Sequence, residues 1–218
     1  MKNKVMTAQE ALSIVKAGDK VMVGGFGLRG CPFKLIDALC ALNVDELTII
    51  SNDLGSPNEG LGRLLTNKQI KALVGNFYNW NPDVAMARNS GEIEVELVPQ
   101  GTFAEAIRAA GAGIPAFYTA TGVGTDLGVD KETRTFDDRE YLLAKAISAD
   151  VALIKAHIAD EMGNLLYYKS SRNFNPAMAM AARYTIVEVD EIVPVGQLDP
   201  ENIMTQHIYV DAIVKGGN

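Results

Sequence analysis

The chain has 218 residues, with 27 acidic against 20 basic side chains, a net charge of −7 and 48% apolar residues. That length allows one domain or two small ones, with a core that needs neither metal nor disulfide staples. The composition excludes disorder, collagen and coiled coil as descriptions of the whole chain. The acidic balance argues against a general nucleic-acid binder, which needs a basic face for phosphate.

Taken in order, residues 7–18 read as a helix. Thr7 and Glu10 have capping-box spacing, Ala11, Leu12, Ile14 and Val15 give an apolar face, and Gly18 is the stop. Residues 20–23 form a short strand running into Gly24-Gly25, and the helix after Pro32 carries Leu35, Ile36, Leu39 and Cys40 as its stripe. Residues 47–50 are a buried strand ending at Ser51-Asn52-Asp53, and 72–74 are another. In 92–98, Ile93, Val95 and Leu97 alternate with Glu92, Glu94 and Glu96, the pattern of a half-exposed edge strand. A helix at 103–110 follows Pro99-Gln100-Gly101-Thr102, and a strand at 116–121 enters a loop with Gly122, Gly124 and Gly128. Residues 141–147 fit helix or strand equally. A strand at 151–156 pairs with 165–168 through a turn at 160–164, a helix follows at 176–183, and 185–189 and 208–214 are strands.

No repeat, low-complexity segment or linker divides the chain, which reads as one domain over 1–218. No run approaches the ~20 apolar residues of a membrane span, and no apolar segment follows the basic start at 1–4. The expectation is a cytoplasmic protein without membrane contact. Strands alternating with helices imply an α/β fold with a single open, mostly parallel sheet flanked by helices. Ligands then sit beyond the carboxyl ends of the strands. Three polar, glycine-bearing segments fall there: 24–32, 51–60 and 100–102.

The sharpest of these is Gly24-Gly25-Phe26-Gly27-Leu28-Arg29-Gly30 before Cys31-Pro32. Glycines let backbone approach a ligand closely, and a strand-to-helix loop ends at amides that favour an anion. It is neither a Rossmann G-x-G-x-x-G nor a Walker A loop. Spacing alone leaves two readings open, a phosphate or carboxylate cradle and a tight connection with no ligand. Phe26 either meets a ligand or packs beneath the loop. Cys31 and Cys40 lack a metal-ligand pattern and read as buried thiols. His157 and His207 stand far apart without metal spacing. Arg63, Lys68 and Lys71 read as a solvated basic face or as a contact for ligand phosphates. Glu59, in Pro57-Asn58-Glu59-Gly60, reads as an acidic turn residue.

These segments together resemble a known family. Gly18-Asp19, Val21-Met22-Val23-Gly24-Gly25-Phe26, Gly30 and Pro32 look like the first signature of the coenzyme A transferases. Leu47 to Asp53, Pro99-Gln100-Gly101-Thr102, Thr121 to Thr125, Ala149 to Ala156 and Asn173-Phe174-Asn175-Pro176 agree, so the resemblance runs from about residue 5 to 215. It is strongest to the alpha subunits of the acetate/butyrate–acetoacetate type. One departure is Thr205-Gln206-His207, where the family has Thr-Pro-Gly, which implies a changed turn.

The resemblance implies CoA transfer between short carboxylic acids through a glutamyl thioester. It places the nucleophilic glutamate on a separate beta subunit, in an α2β2 assembly. It implies coenzyme A as substrate and no tightly bound cofactor, and the histidine spacing gives no metal site. It assigns CoA contact to Gly24, Gly25, Phe26, Gly27, Leu28, Arg29 and Gly30. It assigns Asn52 and Gln100 to the reacting carboxyl groups, where a neutral amide can donate to an oxyanion. Read without it, Asn52 is a turn residue and Gln100 a helix cap. Two other classes compete. A sugar-phosphate-sensing effector domain would need a DNA-binding segment that the sequence lacks. An NAD-dependent oxidoreductase would need the missing glycine fingerprint, although Asp45 and Glu46 stand near the position of its ribose-binding acid.

Overall fold

The computed structural model describes residues 3–216, so the first two residues of the basic start lie outside it. The strands are built on period-two burial. Val21 and Val23 face one core while Met22 faces the other, and Ile49/Ile50, Leu153/Ile154 and Ile186/Val187 divide in the same way. Both faces of the sheet are therefore covered.

The main sheet contains β1 (Lys20–Val23), β2 (Leu47–Ile50), β3 (Ile70–Gly75), β4 (Glu94–Leu97), β8 (Ala149–Asp160), β10 (Ala182–Val193) and β11 (Ala212–Lys215). Their order is β11-β10-β8-β1-β2-β3-β4, and all these pairings are parallel. The short β9 (Leu165–Leu166) adds antiparallel to the end of β8. Asp160 Oδ1 makes that turn by accepting the amides of Met162, Gly163 and Asn164 at 2.9–3.0 Å. One core lies under α1 (Ala8–Leu12), α2 (Phe33–Ala41), α3 (Gly62–Thr66) and α4 (Pro82–Asn89). The opposite core lies under α5 (Gln100–Gly111) and α6 (Asn175–Ala181), around fully buried Phe103 and Met178.

The open, mostly parallel sheet is as expected, but it is not the chain's single sheet. A second, antiparallel one of order β5-β7-β6 joins β5 (Ala116–Thr119), β6 (Thr133–Phe136) and β7 (Arg139–Lys145). It resolves 141–147 largely as strand. β6 is exposed throughout, so no apolar periodicity marks it in the sequence.

The first helix forms its capping box at Thr7 and Glu10 but stops at Leu12, short of residue 18. Ser13 Oγ donates to the Glu10 carbonyl at 2.7 Å, a side-chain bond that competes with continuation of the helix. β4 is an edge strand as expected, although Leu97 is exposed with the glutamates. The last strand is shorter than 208–214, because His207–Tyr209 is a 3-10 turn.

Chain order places the site. From β1 the chain steps to β2, β3 and β4 on one side, then crosses to β8, β10 and β11 on the other. The reversal falls at β1, and a ligand crevice forms beyond the carboxyl end of a strand at such a switch point. The glycine loop leaves the sheet there.

Candidate active site

The loop at 24–30 is a small hairpin. Phe26 N donates to the Arg29 carbonyl at 3.0 Å and Arg29 N returns to Phe26 O at 3.2 Å. Gly27, at φ 56, takes the first central position of this two-residue turn, where a side chain is strained. Phe26 does not pack beneath the loop. It is exposed with Leu28 and Arg29, and Phe77 and Trp80 are exposed as well. Phe77 and Trp80 pack edge to face at 5.1 Å. A side chain on Gly27 would meet the Trp80 ring.

The glycines are required by the protein's own packing. A Cβ on Gly24 would lie 1.8 Å from Asn175 Oδ1, one on Gly25 would lie 2.3 Å from Cys31 Sγ, and one on Gly30 would lie 2.3 Å from the Ser171 carbonyl. Asn173 and Asn175 clamp the loop. Asn173 Oδ1 accepts Gly25 N at 3.1 Å, and its amide donates to Arg29 O at 3.0 Å. Asn175, fully buried, donates to the Gly30 and Ser171 carbonyls at 3.0 Å and accepts Lys155 N at 2.9 Å. Sequence reading noticed the Asn173–Pro176 stretch only as resemblance; the clamp is its physical content. Asn175→Ala leaves the half-buried Lys155 amide and Gly30 carbonyl unpaired, at about 1 kcal/mol for each such group. A denaturant midpoint lowered at constant slope is the expected result.

Most of the loop's amides are paired within the protein. Gly24, Gly25, Phe26, Gly27 and Arg29 all donate their amides to protein acceptors. The N-terminus of α2 is capped by buried Glu188, whose Oε2 accepts Lys34 N at 2.8 Å and Leu35 N at 3.3 Å. Its other oxygen meets Lys155 Nζ at 3.2 Å, and Lys155 also pairs with Asp190 at 2.5 Å. Burial works against the Asp190 carboxylate, but bonds from His157 and Lys155 hold it below the ordinary aspartate range. What the loop offers outward is the side chains of Phe26, Leu28 and Arg29, together with the amides of Leu28 and Gly30, which have no protein acceptor among the described residues.

Asn52 and Gln100 come together. Asn52, at the end of β2, is buried, while Gln100 is the exposed first residue of α5. Gln100 Nε2 donates to Asn52 Oδ1 at 3.0 Å, so the side chain does not cap its own helix. Asn52 Nδ2 donates in turn to Asp53 Oδ2 at 2.7 Å. That oxygen also accepts Gly27 N at 2.7 Å, and Asp53 Oδ1 accepts Gly55 N at 2.9 Å. Asp53 is a buried carboxylate joining the glycine loop to the amide pair, and sequence reading did not single it out.

The remaining candidates fall away from chemistry. Burial, with the charges of Asp53 and Glu188, pushes the Cys31 thiol up to about 12, so it stays protonated at neutral pH. Glu59 is exposed in its turn. Arg63, Lys68 and Lys71 pair on the surface with Asp37, Glu92 and Glu46. His157 faces Asp190 at 2.9 Å, while the His207 backbone amide bonds Asn164. Among the described residues no three His, Cys, Asp or Glu side chains are grouped to hold a metal ion.

The profile of the Coenzyme A transferase family matches residues 5–216. The chain is 49% identical over 215 residues to one of the subunits of the succinyl-CoA:3-ketoacid coenzyme A transferase of Helicobacter pylori strain J99, covering 98% of this chain and 93% of that one. It is 44% identical over 215 residues to the acetoacetyl-CoA:acetate/butyrate CoA transferase alpha subunit of Clostridium acetobutylicum, covering 99% of each. Its fold matches the acyl-CoA transferase of Escherichia coli O157:H7 with a TM-score of 0.86 at 22% identity. That match spans 99% of this chain and 47% of the longer one. The chain belongs to the coenzyme A transferase family.

Proposed function

We propose that this chain is the alpha subunit of a two-subunit CoA-transferase, completed by a beta subunit in an α2β2 assembly. The observation that carries the reading is the Asn52–Gln100 amide pair at the carboxyl end of the sheet, beside carboxylates already committed to structure. Asp53 accepts three hydrogen bonds, and Glu188 caps a helix and pairs with a lysine. A side chain held in this way is a poor nucleophile, and Cys31 is a protonated thiol. Family resemblance then supplies the attacking carboxylate as a glutamate of the partner.

The reaction runs in ping-pong order. The partner's glutamate attacks the acyl-CoA carbonyl and CoA thiolate leaves. The thiolate returns to the glutamyl carbonyl of the mixed anhydride, which forms the glutamyl-CoA thioester and releases the first acid. The second acid takes the CoA by the reverse steps. Each attack puts charge on an oxygen, and an amide N–H from Gln100 is placed to stabilise it. CoA is a substrate here, lying along the exposed side chains of the loop at 26–29, with no cofactor held tightly.

The acids are acetoacetate, or another short 3-keto acid, and acetate or butyrate. The higher identity to a succinyl-CoA enzyme supports a second donor. Succinyl-CoA carries one more carboxylate, and Arg29 is exposed on the loop to meet it. The co-expressed complex is mixed with acetyl-, butyryl- or succinyl-CoA, treated with borohydride to reduce the thioester, and digested for mass analysis. A reduced glutamate on the beta chain, dependent on acyl-CoA, is the expected result. The same mark on this chain overturns the assignment. The donor that labels fastest names the substrate class.

A further inference from the structure

We propose that Asp53 is a positioning residue that sets the direction of the hydrogen bonds in the Asn52–Gln100 pair, and through them the group that Gln100 presents to substrate. The inference rests on the reading above, in which Gln100 meets the reacting carboxyl.

An amide side chain has a donor end and an acceptor end of nearly the same shape, so a pair of them can bond in either sense. An ionised carboxylate only accepts. Asp53 Oδ2 lies 2.7 Å from Asn52 Nδ2, and Asn52 must turn its NH₂ toward it. Its carbonyl oxygen is then committed to the other side, where it receives Gln100 Nε2 at 3.0 Å. Gln100 in turn is fixed with its own carbonyl and one remaining N–H outward. Without the carboxylate both amides are free to reverse.

The anchor itself is well held. Asp53 is buried, and among the described residues it makes no ion pair; backbone amides of Gly27 and Gly55 fix its two oxygens instead. The Gly27 bond ties this orientation to the hairpin at 26–29. Asp53 therefore joins the loop, which Asn173 and Asn175 also clamp, to the amide pair. Asp53→Asn is nearly isosteric, but its NH₂ must face either the donors Gly27 N and Asn52 Nδ2 or the donor Gly55 N. Neither setting leaves every amide paired.

The test is a double-mutant cycle in the co-expressed complex: Asp53→Asn, Gln100→Ala and the two combined, with kcat and KM for acyl-CoA. Circular dichroism and co-purification confirm folding and assembly. The expected loss for Asp53→Asn is on the order of 10²-fold in kcat, the scale of a misplaced reacting group, with KM little changed. The combined variant should be no slower than Gln100→Ala alone, because both act through one group. Losses that multiply, or full activity in Asp53→Asn, overturn the proposal. Full activity in Gln100→Ala instead removes the reading on which it rests. Should Asp53→Asn fail to assemble, Asn52→Ser removes the link while leaving Asp53 bonded to Gly27 and Gly55. A loss of kcat that does not compound with Gln100→Ala supports the proposal there as well, and an unchanged kcat overturns it.

Discussion

Gln100→Ala in the assembled enzyme is expected to lower kcat by about 10²–10³-fold, the usual cost of removing one donor to a developing oxyanion. The side chain starts the first turn of α5 yet turns away from the helix to bond Asn52 at 3.0 Å. It is exposed, so truncation opens no cavity in the core and the far-UV spectrum should be unchanged. The discriminating readout is the split between constants. A donor that acts on charge present only in the transition state lowers kcat and kcat/KM together, while KM for acyl-CoA stays near its original value. A rise in KM at constant kcat would assign Gln100 to ground-state binding. No change in either would leave it a structural residue.

The strands were legible because both sheet faces are buried. Lys20–Val23 and Leu47–Ile50 read directly as short apolar runs between polar turns. α4 was missed although Asn81-Pro82 is a helix-start signal, with Asn81 Oδ1 accepting Asp83 N. Only Val84 and Ala87 of its residues are buried, and periodicity had little to register. Glycine-rich spacing located the loop at 24–30 but left open whether a ligand or the protein's own packing requires the glycines. The contacts that forbid side chains at Gly24 and Gly30 come from Asn175 and Ser171, far away in sequence, which no local pattern encodes, whereas Gly25 is blocked by nearby Cys31. The cap on α2 has the same origin, since Glu188 reaches it across the sheet. Asn52 and Gln100 were found by resemblance; their bond, and the carboxylate that orients it, became visible only in three dimensions.

This chain purified alone is expected to show no CoA transfer, and addition of the beta subunit to raise turnover by several orders of magnitude. The carboxylates near the site are held by structural hydrogen bonds, and an enzyme without its nucleophile retains only what binding and the oxyanion donor supply. The surface at this end fits a partner. Phe26, Leu28, Phe77 and Trp80 are exposed around the glycine loop, an apolar group of the kind found at the centre of protein interfaces. The strand Glu94–Leu97 is a poorer docking edge because its glutamates face solvent. Hydrogen exchange with and without beta should therefore show new protection in residues 24–32, 52–60 and 100–102. Fluorescence of Trp80, the one tryptophan in the chain, should shift to shorter wavelength as water leaves it. Robust transfer by the isolated chain would refute the shared site. Protection confined to 92–98 would place the partner along the sheet edge and not over the glycine loop, and the shared-site geometry would fail.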